Sequence, residues 1–423
     1  MNVALVFPKS TFLIDPMVYP PLGLWYLAAQ LEAQGHSTDF FDLSEDTLPE
    51  DGKYDQLWLG GTSPQMHEIR RLGSLLQKYQ RTATVLGGAA PWARPAECVP
   101  LGYDVVVSGE SDNPPTVQKI LTLADELRGR HEGMLLSPPI NQGMLGLLPP
   151  IRRWSNRYTA YLEDRTGALH RTTTSFTSRG CPMACAFCES GRNGVIWDRF
   201  VRYESLELVE QQLREARDLG FTGMMFYDDI LPLNKPRMLG LLDLLRDFDF
   251  IWRCFIRTDV VAKQGGYAYL KEMADAGLVE VLAGVESADN RIKANISKGT
   301  TIEEDTQALE WCKDLGIKFK ASFILGLPGE DSESMAATRQ WILRNRPDRA
   351  DVNTLIPFPG TPITSHKAQF DLYWTEEFPE ELWYKGPRDS SVGIVGTSHL
   401  TPQEIKDFRD SLVQELNELG IPY

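Results

Sequence analysis

Short apolar runs alternate with stretches of helical period along nearly the whole chain. In the first segment, runs of strand length stand at Val3–Phe7, Thr38–Asp42, Gln56–Gly60, Ala83–Leu86 and Asp104–Val107. Helical periodicity covers Leu22–Ala33, Gln65–Gln80 and Asp112–Leu127 between them. Strand and helix in this rhythm predict an α/β fold with a doubly wound parallel sheet, because parallel strands need crossover helices to cover both faces. Gly60-Gly61 and Gly87-Gly88 follow strand ends, where a sheet of this kind binds its ligand. The same glycines would also serve tight turns, and the pattern alone leaves both readings open.

Gly and Pro crowd the stretch Gly129–Pro150, as expected of a linker. Tyr158–Leu162 and Leu169–Thr177, joined across Asp164-Arg165-Thr166-Gly167, then predict a hairpin. A second alternation follows, with strands at Gly223–Tyr227, Trp252–Arg257, Val279–Gly284, Lys318–Leu325 and Asp351–Leu355. Helices near Glu204–Leu219, Pro236–Phe248, Tyr267–Ala276, Ile302–Leu315 and Glu333–Arg344 separate them. With Thr172–Thr177 as its first strand, this predicts a partial (β/α)6 barrel whose functional groups lie at the C-terminal strand ends. The expected division is therefore 1–130, a Rossmann-type domain; 131–165, linker and hairpin; 166–365, the barrel; and 366–423, a short, mainly helical C-terminal region. That last region holds a helix at Pro402–Leu419 and the aromatics Tyr373, Trp374, Trp383 and Tyr384. Trp383 and Tyr384 are expected to line or cover the substrate end of the barrel.

Composition narrows the class. The 423 residues are 42% hydrophobic and 24% charged, ordinary for a folded multidomain protein. A formal charge of −15 disfavours bulk nucleic acid and anionic membrane surfaces. The start, MNVALVFPKS, lacks the form of a signal peptide, and no apolar run reaches the length of a membrane span. The expectation is a soluble, cytoplasmic protein.

Three of the six cysteines, Cys181, Cys185 and Cys188, fall in one loop directly after a strand. A C-x3-C-x2-C pattern suits a metal site and not a secreted disulfide framework. A zinc knot would need a fourth ligand close by, yet the nearest histidine is His170 and the next cysteine Cys254. Three thiolates on a four-iron cluster leave one iron open to bind and activate a substrate.

This stretch, Cys181-Pro182-Met183-Ala184-Cys185-Ala186-Phe187-Cys188, resembles the signature of the radical SAM superfamily. The resemblance runs over roughly Thr172–Thr364 and implies a 4Fe-4S cluster on the three cysteines. It further implies that S-adenosylmethionine chelates the open iron and is reductively cleaved to a 5'-deoxyadenosyl radical. Phe187 would contact the adenine. Asp228 and Asp229, in Tyr227-Asp228-Asp229, stand where the family binds the methionine amine, although paired carboxylates also bind metals or cap helices. Arg257, in Trp252-Arg253-Cys254-Phe255-Ile256-Arg257, would hold the S-adenosylmethionine carboxylate as a bidentate donor, or else form a surface ion pair. Cys254 reads as a core thiol.

Gly284-Val285-Glu286-Ser287 matches the segment in which Glu286 and Ser287 would take the ribose hydroxyls and the methionine end. Lys298 would help hold the carboxylate, or be a solvated lysine. Gly326, within Ala321–Glu330, would let the backbone approach the adenine ring, and Ile356, within Leu355–Pro362, would offer backbone polar groups to it.

Pro20-Pro21-Leu22-Gly23-Leu24, Gly35-His36, Leu86-Gly87-Gly88 and Ser108-Gly109-Glu110 resemble, in order, the cobalamin-binding domain that precedes one branch of radical SAM proteins. The cobalamin-ligating D-x-H-x-x-G motif is absent, since His36 and His67 lack its context. Cobalamin would then bind without histidine on its lower face, or the domain has lost the cofactor. With cobalamin, the implied reaction is C-methylation of a small-molecule or biosynthetic-intermediate substrate. Without it, the radical would drive a cyclisation, rearrangement or oxidation. A non-catalytic binding module is the third class, and a methylthiotransferase would need further N-terminal cysteines where only Cys98 stands. The implied protein partner is a reductant such as flavodoxin or ferredoxin.

Overall fold

The structure is a computed structural model that describes all residues except Phe12, Ile14, Leu147, 152–156, 193, 195–199 and 375–392. Trp383 and Tyr384 therefore lie outside the described residues.

The N-terminal half runs β1 (Asn2–Phe7), α1 (Leu22–Ala33), β2 (Ser37–Asp42), β3 (Gln56–Gly60), α2 (Met66–Leu76), β4 (Ala83–Gly87), α3 (Ala89–Ala93), α4 (Pro95–Cys98), β5 (Val105–Gly109), α5 (Pro114–Glu126), β6 (Gly133–Ser137) and α6 (Gln142–Leu145). Its strands form one parallel sheet in the order β2-β1-β3-β4-β5-β6. Val3 and Leu5 face one way, packing with Leu24, Leu31 and Ile120 of α1 and α5. Ala4 and Val6 face the other way, towards Ile69 and Leu72 of α2. Burial on both faces is why these strands read as continuous apolar runs. β6 departs from the expected linker: it pairs with β5 from Val105↔Gly133 to Gly109↔Ser137. As the edge strand it leaves Met134 and Leu136 exposed, so it lacks the two-sided apolar signature of its neighbours.

The C-terminal half begins with the hairpin β7 (Ala160–Glu163) and β8 (Leu169–Ser175), then a short ribbon, β9 (Ser178–Arg179) with β10 (Arg202–Tyr203), which brackets the cysteine loop. There follow α7 (Leu206–Asp218), β11 (Gly223–Phe226), α8 (Lys235–Phe248), β12 (Ile251–Ile256), α9 (Thr258–Gln264), α10 (Tyr267–Asp275), β13 (Leu278–Glu286), α11 (Asn290–Asn295), α12 (Ile302–Asp314), β14 (Lys318–Leu325), α13 (Ser332–Asn345) and β15 (Arg349–Thr354). The sheet order is β15-β14-β13-β12-β11-β8-β7, six parallel strands with β7 antiparallel at one edge. Ser205, Asn234, Thr301 and Asp331 each accept a backbone N–H in the first turn of the following helix, which sets where α7, α8, α12 and α13 start.

The rest comprises α14 (Pro362–Ser365), a small antiparallel pair of β16 (Leu372–Trp374) and β17 (Val395–Thr397), and α15 (Pro402–Glu418). The C-terminal region is thus part strand. Ile405, Leu412 and Leu416 of α15 join the helix-side core of the barrel sheet, and Arg339 grips Glu415 through two nitrogens. Among the described residues no helix is long and apolar enough to cross a membrane.

Candidate functional site

The C-terminal strand ends of the N-terminal sheet open on a cavity of about 420 Å³. Leu24, Trp58, Leu59, Val85 and Val107 give it mostly apolar walls, and Gly60, Gly61, Gly87, Gly88 and Gly109 line it at the strand ends. Thr174, Phe176, Arg179 and Tyr227, all from the C-terminal half, also line it. This is the volume range of small-molecule sites, placed where a doubly wound sheet binds its ligand. Turn and ligand roles meet at the glycines. Gly88 has φ +102°, and a Cβ there would come within 2.5 Å of Gly61 O. Gly61 N donates to Gly87 O at 3.0 Å and Ala90 N to Gly61 O at 3.1 Å, so the two glycine loops are stitched together beneath the cavity. Among the described residues no histidine lines it; His36 lies near the chain's N-terminus and His67 on the exposed side of α2.

The cysteine loop leaves β8 and is pinned before it begins. Asp228 accepts Thr177 N at 3.1 Å, Thr177 Oγ1 at 2.8 Å, and Ser178 Oγ. Within the loop, Ala186 N donates to Ile296 O at 2.9 Å and Ala186 O accepts Ile363 N at 3.1 Å. Cys181, Cys185 and Cys188 are partly buried, whereas Cys98, Cys254 and Cys312 are buried outright. Burial pushes the Cys181 thiol up to about 11 and the Cys188 thiol further, with the nearby Asp229 acting the same way. Such thiols need the positive charge of a metal to become thiolate ligands. An all-cysteine donor set fits an iron-sulfur cluster, and Arg257 Nη1 points at Cys185 Sγ from 3.6 Å, the sort of hydrogen bond that tunes one.

Around the loop the residues expected to hold S-adenosylmethionine divide. Phe187 and Ile356, like Ile324, pack against one small core that includes Ala186, Leu327 and Leu355. Glu286 and Lys298 form an ion pair at 2.7 Å, and both are buried. Burial works against the charge on Lys298, but Glu286 and then Cys185 hold its pKa above the ordinary value. Lys298 is not a solvated lysine. Glu286 has φ +67° where the β13–β14 register slips between Gly284 and Glu286. A non-glycine residue in that region is strained, and such strain collects at functional sites. Asp229 is partly buried, and burial raises its carboxyl to about 6 against the pull of a hydrogen bond from Ser190.

Three of the expected residues carry further contacts. Asp228 is wholly buried and spent on Thr177 and Ser178, so it positions the loop, and only Asp229 stands beside the cysteines. Arg257 presents no free fork: Nε binds Asp259 at 3.1 Å, Nη2 binds Lys298 O, and Nη1 faces Cys185. It is a buried brace and not a surface ion pair. Gly326 is required by φ +87° and by Ile405 Cδ1, 3.2 Å from where a Cβ would sit, which is the side of α15. Ser287 is buried and accepts Asp289 N at 3.2 Å.

The seam between the halves is made by residues outside those expected from the sequence. Arg179, two residues before Cys181, forks onto both oxygens of Asp112 and lies over the Tyr26 ring, 5.0 Å from its centre. Arg202 Nη1 reaches Glu110 Oε2 at 2.6 Å, and Tyr26 donates its hydroxyl to Glu204 at 2.7 Å. These groups are buried, and burial raises Glu204 to about 7. Buried pairs of this kind cost desolvation and repay it only when complete. Glu189, next to Cys188, adds a link by accepting Ser63 Oγ at 3.3 Å. The available signal was the clustering of Arg179 beside the cysteines and of Glu110 and Asp112 after a strand end.

Residues 175–342 match the model of the radical SAM superfamily, and residues 16–117 that of the B12 binding domain. An uncharacterized methyltransferase of Pyrococcus horikoshii is 28% identical over 405 residues, covering 89% of this chain and 85% of its own length. The bacteriochlorophyllide d C-8(2)-methyltransferase of Chlorobaculum tepidum is 23% identical over 373 residues, 86% of this chain and 79% of its own. In fold, the chain resembles the radical S-adenosylmethionine methyltransferase TsrM of Kitasatospora setae, solved with cobalamin and a 4Fe-4S cluster. The TM-score is 0.69 at 16% identity, covering 96% of this chain and 81% of that one.

Proposed function

The chain belongs to the radical SAM superfamily, with a B12 binding domain ahead of its radical SAM domain, and from that premise we propose that it is a cobalamin-dependent methyltransferase acting on a carbon of a small molecule. The observation that carries this reading is the placement of the cavity. One wall is the ligand edge of the N-terminal sheet, and the other includes Tyr227 and Arg179, neighbours in sequence of Asp229 and Cys181. Bound together, the cluster, S-adenosylmethionine and cobalamin supply hydrogen-atom abstraction by a 5'-deoxyadenosyl radical and delivery of a methyl group.

The chain's own residues have separable tasks. Cys181, Cys185 and Cys188 would hold the cluster, and Asp229, close enough to act on two of the thiols, would meet a group bound to it. Arg257 braces Cys185 and the backbone of Lys298. Glu286, fixed by Lys298, is held in a strained backbone position from which its carboxylate meets the ribose and methionine end of S-adenosylmethionine. Phe187 and Ile356 form the apolar rest for the adenine. Gly60, Gly61, Gly87, Gly88 and Gly109, which line the cavity with no histidine among the described lining residues, would hold cobalamin there. A low-potential flavodoxin or ferredoxin supplies the electron.

Anaerobic reconstitution with iron and sulfide, followed by hydroxocobalamin, tests the reading. The expected outcome is iron-sulfur absorption, a spectral change on cobalamin binding, and 5'-deoxyadenosine released from S-adenosylmethionine on reduction. A protein that forms the cluster but leaves hydroxocobalamin unbound would instead carry out a cobalamin-independent radical reaction.

A further inference from the structure

The inner face of the barrel carries a charge arrangement that the cofactors leave unused. On β12, Trp252, Cys254 and Ile256 point into the helix layer and are at most 3% exposed, while Arg253 and Phe255 face the lumen and stay accessible. β14 repeats the alternation, with Lys320 and Ser322 accessible. A closed eight-stranded barrel fills its interior with stacked side chains. This sheet of six parallel strands leaves inward-facing groups within reach of a ligand.

At the third residue of β13, Glu280 Oε1 takes both Arg253 Nη1 at 3.1 Å and Lys320 Nζ at 2.9 Å. Two cations thus share one carboxylate oxygen, inside a chain whose formal charge is −15. Arg349 and Asp351 on β15 pair with each other at 2.8 Å and add no net charge. The Arg253 and Lys320 side chains are 19% and 22% exposed, so both remain reachable, while Glu280 is not. Arg253 also donates from Nη2 to the Tyr227 hydroxyl at 2.7 Å. Tyr227 in turn meets Phe255 and Tyr19 edge to face, with centroids 5.3 Å and 5.5 Å apart. Tyr19 and Tyr227 line the cavity of the N-terminal sheet, so the aromatic run joins the cation pair to that cavity's wall.

We infer that the lumen is the substrate chamber and that the substrate carries a carboxylate: the anion sits on Arg253 and Lys320, and a planar apolar body lies against Phe255 and Tyr227, facing the cavity. This rests on the methyltransferase reading above. A second anion brings the local charge to zero, and the two cations, although their nitrogens already hold Glu280 and Tyr227, favour a carboxylate over a neutral amide by charge in a partly dry site. S-adenosylmethionine's own carboxylate is not the occupant. Arg253 lies in register with Glu280, six residues before Glu286 on β13, which places its backbone roughly 20 Å below the Glu286–Lys298 pair.

The probe pair is 3-phenylpropionate and its uncharged counterpart 3-phenylpropionamide, titrated anaerobically by calorimetry into the full-length protein loaded with cluster, S-adenosylmethionine and hydroxocobalamin. The acid is expected to bind at least about tenfold more tightly than the amide. Arg253→Gln and Lys320→Gln should each bring that ratio to within about twofold of unity, and Arg253→Lys should restore part of it. Lys320 stands on a different strand, β14, and lacks the Tyr227 bond of Arg253, so its variant reports even where Arg253→Gln impairs folding. Equal binding of acid and amide, binding of neither, or a preference that survives both glutamine variants would overturn the inference. Hydroxocobalamin spectra and 5'-deoxyadenosine release from the same samples report on the premise separately. Intact cofactor chemistry without acid preference rejects the chamber alone, and acid preference without cobalamin binding rejects the methyltransferase reading alone.

Discussion

The two ligand edges of this molecule are built from opposite materials. The cavity of the N-terminal sheet is walled by aliphatic and aromatic side chains and glycine backbone, so it selects by shape and apolar contact. The mouth of the barrel is built from charge: Glu286 on Lys298, Arg257 on Asp259 and Cys185, Asp229 beside the thiols. The first edge tolerates a large rigid body that brings its own chemistry. The second must place a few polar atoms around a reacting centre, and it does so with strained backbone and buried ion pairs. Between them, the Arg179–Asp112 and Arg202–Glu110 pairs clamp one edge to the other.

If the edges are separable, removing a cluster ligand should silence one and spare the other. Cys185→Ala is expected to abolish 5'-deoxyadenosine formation and lower bound iron while hydroxocobalamin still binds, as read from iron content and the cobalamin spectrum. Loss of both activities together would mean that the cavity needs the cluster loop in place. The seam comes next. Asp112→Asn strands the buried Arg179 guanidinium and should cost about 3–5 kcal/mol, measured by the denaturant midpoint of the full chain. Asp112→Leu combined with Arg179→Met should recover most of that loss, whereas no recovery would argue that the pair does more than complete itself.

A smaller effect should fall on the apolar edge alone. Gly88→Ala forces a side chain into positive φ and against Gly61 O, at about 1–3 kcal/mol, weakening hydroxocobalamin binding in titrations while cleavage of S-adenosylmethionine continues. The smallest concerns pH. Burial raises Glu330 from 4.5 to about 8, against the backbone N–H groups of Gly326 and Leu327. Its protonated form is favoured in the folded state, so this contribution to stability is fully present below pH 4.5 and lost as pH rises through about 8. Glu330→Gln should flatten the decline in unfolding midpoint across that window, and an unchanged slope would assign it to Glu189 and Glu204, both of which burial raises to about 7.

Much of this architecture is legible in the primary structure because it rests on local periodicity. α1 and β14 fall on the residues expected of them, Leu22–Ala33 and Lys318–Leu325, since a long apolar helix-forming run and a strict alternation of buried and accessible positions each leave an unmistakable pattern. β6 was hidden because an edge strand mixes exposed and buried residues within a Gly- and Pro-rich stretch. α9 was hidden because seven residues are too few to show a helical period. At the site, the cysteine spacing is local and therefore readable, whereas the partners of Asp228, Arg257 and Gly326 come from distant segments.

The alternation of elements, the three thiols in one loop after a strand, and the resemblance that assigns their chemistry are all written in the order of the residues. Those properties depend on neighbours along the chain. Folding alone makes Asp228 a positioning group and Arg257 a brace, pairs Glu286 with Lys298, and joins the halves through Arg179 and Asp112. Each of these is a desolvated charge, whose role is set by what surrounds it in space, and the surroundings are assembled from residues tens to more than a hundred positions apart.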